Sequence, residues 1–206
     1  MIRLYERTDC PFCWKVRIGL EELDIPYETV ATRLGEKHPD VVRLSPARTV
    51  PVMVDGDSVI WESAVILDYL DSRYAPGQLI PPDPAEGARV RLLHAYSDKQ
   101  LGACLRTLVF EMRSKPERDW DRGLLEEGRR DWEVCQAWLE GELGGRDFFG
   151  GQLGAADCAL GARFGVAEAY GVAVNSAHPG LQRWFEAITS RSSWQAAYPT
   201  SFIRSE

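Results

Sequence analysis

The sequence predicts an α/β unit of order β-α-β-α-β-β-α joined to an all-α half. Three observations carry that prediction. Short strand-like apolar segments fall between Ile2 and Trp61, and no strand alternation is convincing after Trp61. From Ala75 to Gly87 the residues Pro76, Gly77, Pro81, Pro82 and Pro84 break any regular helix. Beyond them apolar residues recur at helical spacing. The expected division is residues 1–75, a linker over 76–87, and an all-helical unit over 88–206.

Each element has a local reason. Ile2-Arg3-Leu4-Tyr5 alternates as a strand, and Thr8-Asp9 turns out of it. Pro11 suits the first position of a helix, where no backbone N–H is needed, and Val16, Leu20 and Leu23 form its apolar stripe. That helix ends near Asp24-Ile25-Pro26, and Tyr27–Ala31 reads as a second strand in a parallel crossover. A short helix is expected over 36–44. Pro51–Val54 and Ser58–Trp61 flank Asp55-Gly56-Asp57, a strong hairpin signal. Ser63 is expected to cap a helix with Ile66, Leu67 and Leu70 on its stripe. In the second half the stripes are Leu101/Leu105/Leu108/Met112, Leu125/Trp132/Cys135/Leu139/Leu143, Leu160/Phe164/Ala167 and Leu181/Trp184/Phe185/Ile188.

Composition narrows the function. The chain has 206 residues, 45% hydrophobic and 27% charged, enough to bury a core in one domain or two. It contains no 18-residue apolar run, and its first residues lack the basic flank and apolar stretch of a secretory signal, so a cytoplasmic location is expected. With 24 Lys and Arg against 31 Asp and Glu, the net charge of −7 argues against nucleic acid or a membrane surface as a partner. The five cysteines are an odd number, and no disulfide framework is expected in a reducing compartment. No second Cys-x-x-Cys and no paired histidines complete a metal site, so no metal is expected.

Cys10-Pro11-Phe12-Cys13 is therefore read as a redox-active thiol pair. Cys10 falls at the helix N-cap, where unpaired N–H groups, the helix dipole and nearby Lys15 favour a thiolate. Such sites lower a thiol pKa of about 8.5 to roughly 3.5–7.5. Cys13, one turn along, is expected to be the more buried resolving thiol and Cys10 the exposed attacker. Cys104, Cys135 and Cys158 lie on apolar helical faces and read as core. Standing alone, Val50-Pro51 reads as a trans proline at a strand start, and Glu62-Ser63 as a helix cap beside a solvated glutamate. A cis bond there would offer the Val50 backbone to an extended peptide, and Glu62 with Ser63 would suit an amino-acid zwitterion. Asp157, at N3 of a helix opening at Gly154, reads as a capping residue.

Cys10-Pro11-Phe12-Cys13 after strand one, Val50-Pro51 opening strand three, Glu62-Ser63 opening helix three, a proline-rich linker and a helical half together resemble the cytosolic glutathione transferase superfamily. The resemblance covers essentially the whole chain. It implies a thioredoxin-like domain that binds glutathione as co-substrate, and a helical domain that shapes the second-substrate pocket. Within it, Val50 would pair its backbone with the cysteinyl part of glutathione before a cis Pro51. Glu62 and Ser63 would hold the γ-glutamyl end, and Asp157 would be the capping aspartate of the helical core. Cys10 stands where many members carry Tyr or Ser, which resembles the omega-like and glutaredoxin-2-like members. Tyr5 and Thr8 are the nearby hydroxyls.

Two positions depart from the family pattern: Arg48 stands where Gly is frequent and is expected near the glycyl carboxylate, and Gly154 replaces a capping Ser or Thr. The second-substrate pocket is expected around Phe12, Tyr96, Leu108 and Met112. The function implied is a glutathione-dependent thiol transferase or reductase working through a Cys10 mixed disulfide on a small disulfide. The alternatives are conjugation or dehalogenation of a small electrophile, or a non-catalytic binding or regulatory relative. A homodimer is expected from the resemblance.

Overall fold

The computed structural model describes residues 1–202. The first half runs β1 (Ile2–Glu6), α1 (Pro11–Glu22), β2 (Tyr27–Ala31), α2 (Pro39–Leu44), β3 (Val52–Asp55), β4 (Ser58–Trp61) and α3 (Ser63–Tyr74). The sheet order is β2-β1-β3-β4. β1 pairs parallel to β2, and β3 pairs antiparallel to both β1 and β4. This is a thioredoxin-like unit in the predicted element order.

Period two sorts the sheet's side chains onto two faces. Ile2, Leu4 and Met53 enter the main core with α1 and α3. Tyr5, Val52 and Val54 form a smaller core with Val41 of α2.

The second half comprises α4 (Pro84–Tyr96), a π-helical turn at Ser97–Leu101, α5 (Gly102–Ser114), α6 (Arg122–Leu143), α7 (Ala155–Ala169), α8 (Pro179–Thr189) and α9 (Ser192–Ala197). The linker is shorter than expected, because α4 begins at Pro84. Proline is tolerated there as the first helical residue, and the Asp83 carboxylate caps the helix by accepting from Ala85 and Glu86 N–H at 3.0 Å. The remaining linker is packed: Leu79 and Ile80 are buried, and their N–H groups donate to Asp71 Oδ1 at 2.7 and 3.2 Å.

The two halves share one core. Trp14 of α1 is buried against Trp194, with ring centroids 4.6 Å apart, and a Cβ on Gly165 of α7 would lie 2.3 Å from its ring. Arg17 donates to Glu6 within β1, to Thr8 O at 2.8 Å, and to Ala197 O of α9 at 3.0 Å. Lys15, fully buried, donates to the Asp98 carboxylate at 2.7 Å and lies 2.6 Å from His94 Nε2. Burial carries the Lys15 pKa down to about 8, with Asp98 opposing. Burial, then Lys15, carries that of His94 to about 3.

Asp157 of α7 is wholly buried and accepts from Gly154 N and Phe149 N at 3.0 Å and from Trp184 Nε1 at 2.9 Å. Gly154 stands at this cap for a steric reason: a Cβ there would lie 2.6 Å from Leu79 O. No described helix is long and apolar enough to cross a membrane.

Candidate active site

Cys10 occupies the N-cap of α1 in extended backbone, and Pro11 follows as the first helical residue. The open first turn aims the Phe12 and Cys13 backbone N–H groups toward the Cys10 sulfur, without a cap hydrogen bond of normal geometry. The Cys10 pKa falls from 9.0 to about 6. The Cys13 thiol, as hydrogen-bond donor, is the largest cause; burial opposes it, and the Cys13 backbone and Arg7 add to it. Cys13 moves the opposite way, because burial and the neighbouring Cys10 keep it protonated.

Two expectations are corrected here. Cys10 is not exposed: it is 6% accessible at the floor of a cavity, and Cys13 is 0% accessible behind it. The supporting cation is Arg7 rather than Lys15, whose ammonium is committed to Asp98.

The loop before β3 brings Arg48, Val50 and Pro51 to the same cavity. The Val50–Pro51 bond is cis, against the trans bond that local sequence physics favours. Arg48 has φ 55°, in the left-handed region that favours glycine. Glu62 and Ser63 also line the cavity, but their roles at the helix end are exchanged. Glu62 is the N-cap, with φ 69° and no side-chain cap bond, and Ser63 is the first helical residue. The Glu62 carboxylate is exposed and the Ser63 side chain buried beside it. Tyr5 and Thr8 are engaged elsewhere: Tyr5 donates to Asp40 Oδ2 at 3.4 Å, and Thr8 Oγ1 accepts from Thr200 N at 3.2 Å.

The cavity holds about 660 Å³ between the thioredoxin-like half and helices α5 and α7, within the size range of small-molecule sites. Phe12 lines it, but Tyr96, Leu108 and Met112 do not. Tyr96 stacks on Trp138 of α6 at 4.1 Å. Leu108 is wholly buried and packs on Gly128 of α6, where a Cβ would lie 2.9 Å from it. Met112 packs against the same core. Within the predicted stripe, Leu108 and Met112 thus turn to α6 and the core, while Leu105 borders the cavity. The cavity-facing side is the neighbouring stripe, with Gly102, Arg106, Val109, Phe110 and Arg113.

Arg7, Asp9 and Arg163 are cavity residues that sequence reasoning missed. Asp9 accepts from Arg7 and pairs with Arg113 at 2.9 Å, tying the two walls together. Nothing in the local pattern marks these three. Among the described residues no three His, Cys, Asp or Glu side chains converge as a metal site.

Comparison with known proteins shows the family of the chain. The family model for the glutathione S-transferase N-terminal domain matches residues 4–78, and that for the C-terminal domain matches residues 125–187. The glutathione S-transferase U1 of Arabidopsis thaliana is 30% identical over 86% of this chain and 80% of its own. The glutathione S-transferase GstB of Escherichia coli is 28% identical over 93% and 94%. The solved glutathione S-transferase of Methylobacterium radiotolerans, in complex with glutathione sulfonate, superposes with a TM-score of 0.81 at 26% identity. That superposition covers 100% of this chain and 98% of the other.

Proposed function

The chain belongs to the glutathione S-transferase family, and we propose that it acts there as a cysteine-type thiol transferase through a mixed disulfide on Cys10. The observation that carries this reading is the Cys10 thiol itself. It has a pKa of about 6, lies at a helix N-cap, and floors the cavity lined by Pro51, Glu62 and Ser63. A thiolate at neutral pH is a nucleophile, whereas a Tyr or Ser hydroxyl at this place would only hydrogen-bond the glutathione sulfur.

The Cys10 thiolate attacks the glutathionyl sulfur of a mixed disulfide. A Cys10–glutathione bond forms, the original S–S bond breaks, and its electron pair leaves on the other thiol as thiolate. A second glutathione thiolate then attacks the adduct, releases glutathione disulfide and restores the Cys10 thiolate.

Glutathione fits the thioredoxin-side wall. The Val50 backbone before cis Pro51 suits its cysteinyl amide. The exposed Glu62 carboxylate suits its ammonium, and the free N–H groups at the start of α3 suit its γ-glutamyl carboxylate. Arg48 lines the cavity where the glycyl carboxylate would lie. The bound glutathione sulfonate of the Methylobacterium relative supports a ligand of this class.

Intact mass after incubation with oxidised glutathione tests the reading. One glutathionyl group should add to wild type and none to Cys10→Ser. An equal adduct on Cys10→Ser would overturn it. Conjugation of an electrophile is the second reading, favoured by the apolar side chains of Val109 and Phe110 on the α5 wall. A homodimer belongs to the proposal. Trp61, Val65 and Leu92 leave exposed apolar surface on β4, α3 and α4, and an Arg91–Asp68 contact of 3.0 Å links the two helices. Sedimentation velocity reads the oligomeric state directly.

A further inference from the structure

The charge of the cavity runs against that of the chain. The chain carries −7, yet eight Lys or Arg side chains line the cavity against four Asp or Glu. The excess is sharpest on the helical wall. Lys99, Arg106 and Arg113 recur every seventh residue through the π turn and α5, and a seven-residue step nearly closes two helical turns. All three therefore share the cavity-facing stripe, with Val109 and Phe110 between them.

Arg163 of α7 completes this wall, with its guanidinium carbon 4.5 Å from the Phe12 ring centroid. Gly102 makes the room, since a Cβ there would lie 3.0 Å from an Arg163 nitrogen. Internal pairing uses only part of this charge. Arg113 pairs with Asp9 at 2.9 Å, while Asp98 serves both Lys15 at 2.7 Å and Arg163 at 3.5 Å. Lys99 and Arg106 have no carboxylate partner among the described residues.

We propose that the second substrate is an amphipathic anion: an apolar or aromatic body bearing a carboxylate that Arg106 binds. The inference rests on glutathione occupying the thioredoxin-side wall, which leaves the α5–α7 wall to the other reactant. Phe12, Val109, Phe110, Val166 and Tyr170 supply the apolar contacts there. Unpaired cations in a partly enclosed cleft focus their field and raise the local concentration of anions. Of the two unpaired groups, Arg106 sits mid-stripe and carries the planar fork that matches a carboxylate with two hydrogen bonds.

Calorimetry with three ligands tests this: glutathione, S-(4-carboxybenzyl)glutathione and the matching carboxamide. The carboxamide keeps the shape and removes the charge. Wild type should bind the carboxylate about tenfold or more tighter than the carboxamide. Arg106→Gln should erase most of that ratio, Arg106→Lys should restore part of it, and raising the salt should reduce it. Equal affinities for carboxylate and carboxamide, or a ratio untouched in Arg106→Gln, would overturn the inference while leaving the glutathione reading standing. Failure of all three ligands to bind would overturn the glutathione reading itself, and this inference with it.

Discussion

Replacing Cys13 by alanine should raise the Cys10 pKa, because the Cys13 thiol is the largest single cause of its depression from 9.0 to about 6. A hydrogen bond to a charged acceptor contributes about 1.5–3 kcal/mol, and S–H is a weak donor, so the low end applies. At about 1.4 kcal/mol per pKa unit, the loss shifts Cys10 upward by about one unit. The helix end and Arg7 remain in the variant, so the thiol stays more acidic than an ordinary cysteine. At pH 7 the thiolate fraction falls from about 90% to roughly 50%, and alkylation slows about twofold.

Cys13→Ser is the matched control. It keeps a donor in the same place and should hold the Cys10 midpoint near that of wild type. The assay is iodoacetamide alkylation from pH 5 to 10, with Cys10 followed by peptide mass. A Cys10 midpoint in Cys13→Ala equal to that of wild type would refute the reasoning. So would equal shifts in the Ala and Ser variants, which would make packing rather than the donor the cause. Turnover of small glutathionylated substrates should survive in Cys13→Ser, since glutathione can itself release the Cys10 adduct. A loss as deep as that of Cys10→Ser would show the dithiol route to be obligatory.

Glu62→Gly keeps a residue at ease with φ 69° while removing the carboxylate, and Ser63→Ala removes the buried hydroxyl; each should raise the calorimetric Kd for glutathione about tenfold or more. Unchanged binding would reduce the pair to a helix start. Gly165→Ala forces a Cβ to within 2.3 Å of Trp14 and 2.7 Å of Trp194, and should lower stability in urea by about 1–3 kcal/mol. A neutral result would mean that α1 and α7 are not locked as described. His94 has its folded-state pKa depressed from 6.5 to about 3, so acid protonates the unfolded chain first. It should therefore cost the fold about 1.4 kcal/mol per unit as pH falls below 6.5 toward 3, and His94→Gln should flatten that part of the acid limb. Parallel acid limbs for the two proteins would exclude His94 as the group responsible.

The sequence by itself determined what depends on neighbouring residues. Alternation in Ile2–Tyr5 marks a strand because side chains alternate across a sheet. Asp55-Gly56-Asp57 marks the hairpin because Gly56, with φ 57°, takes the left-handed turn position. Pro11 marks the start of α1, and hence the cap position of Cys10, because proline lacks the N–H that a first turn leaves unpaired. Asp157 was legible for the same reason, as a carboxylate three residues inside a helix start.

Tertiary structure decided everything that depends on distant partners. Lys15 reads as a free cation beside the thiols until His94 and Asp98, 79 and 83 residues away, take its ammonium. Helical periodicity shows that Leu101, Leu105 and Leu108 share a buried face, but not whether that face meets α6 or a ligand. The adjacent stripe of Lys99, Arg106 and Arg113 would look identical on a helix that faced bulk water. Cis Pro51 and the left-handed Glu62 are likewise held by the fold around them, since local preference for an X-Pro bond is trans and for glutamate is negative φ. A residue's conformational preference is a local energy and is written in its neighbours. Its electrostatic partner and its exposure to a cavity arise only when separate segments pack, and in this chain those contacts choose the wall that Cys10 faces.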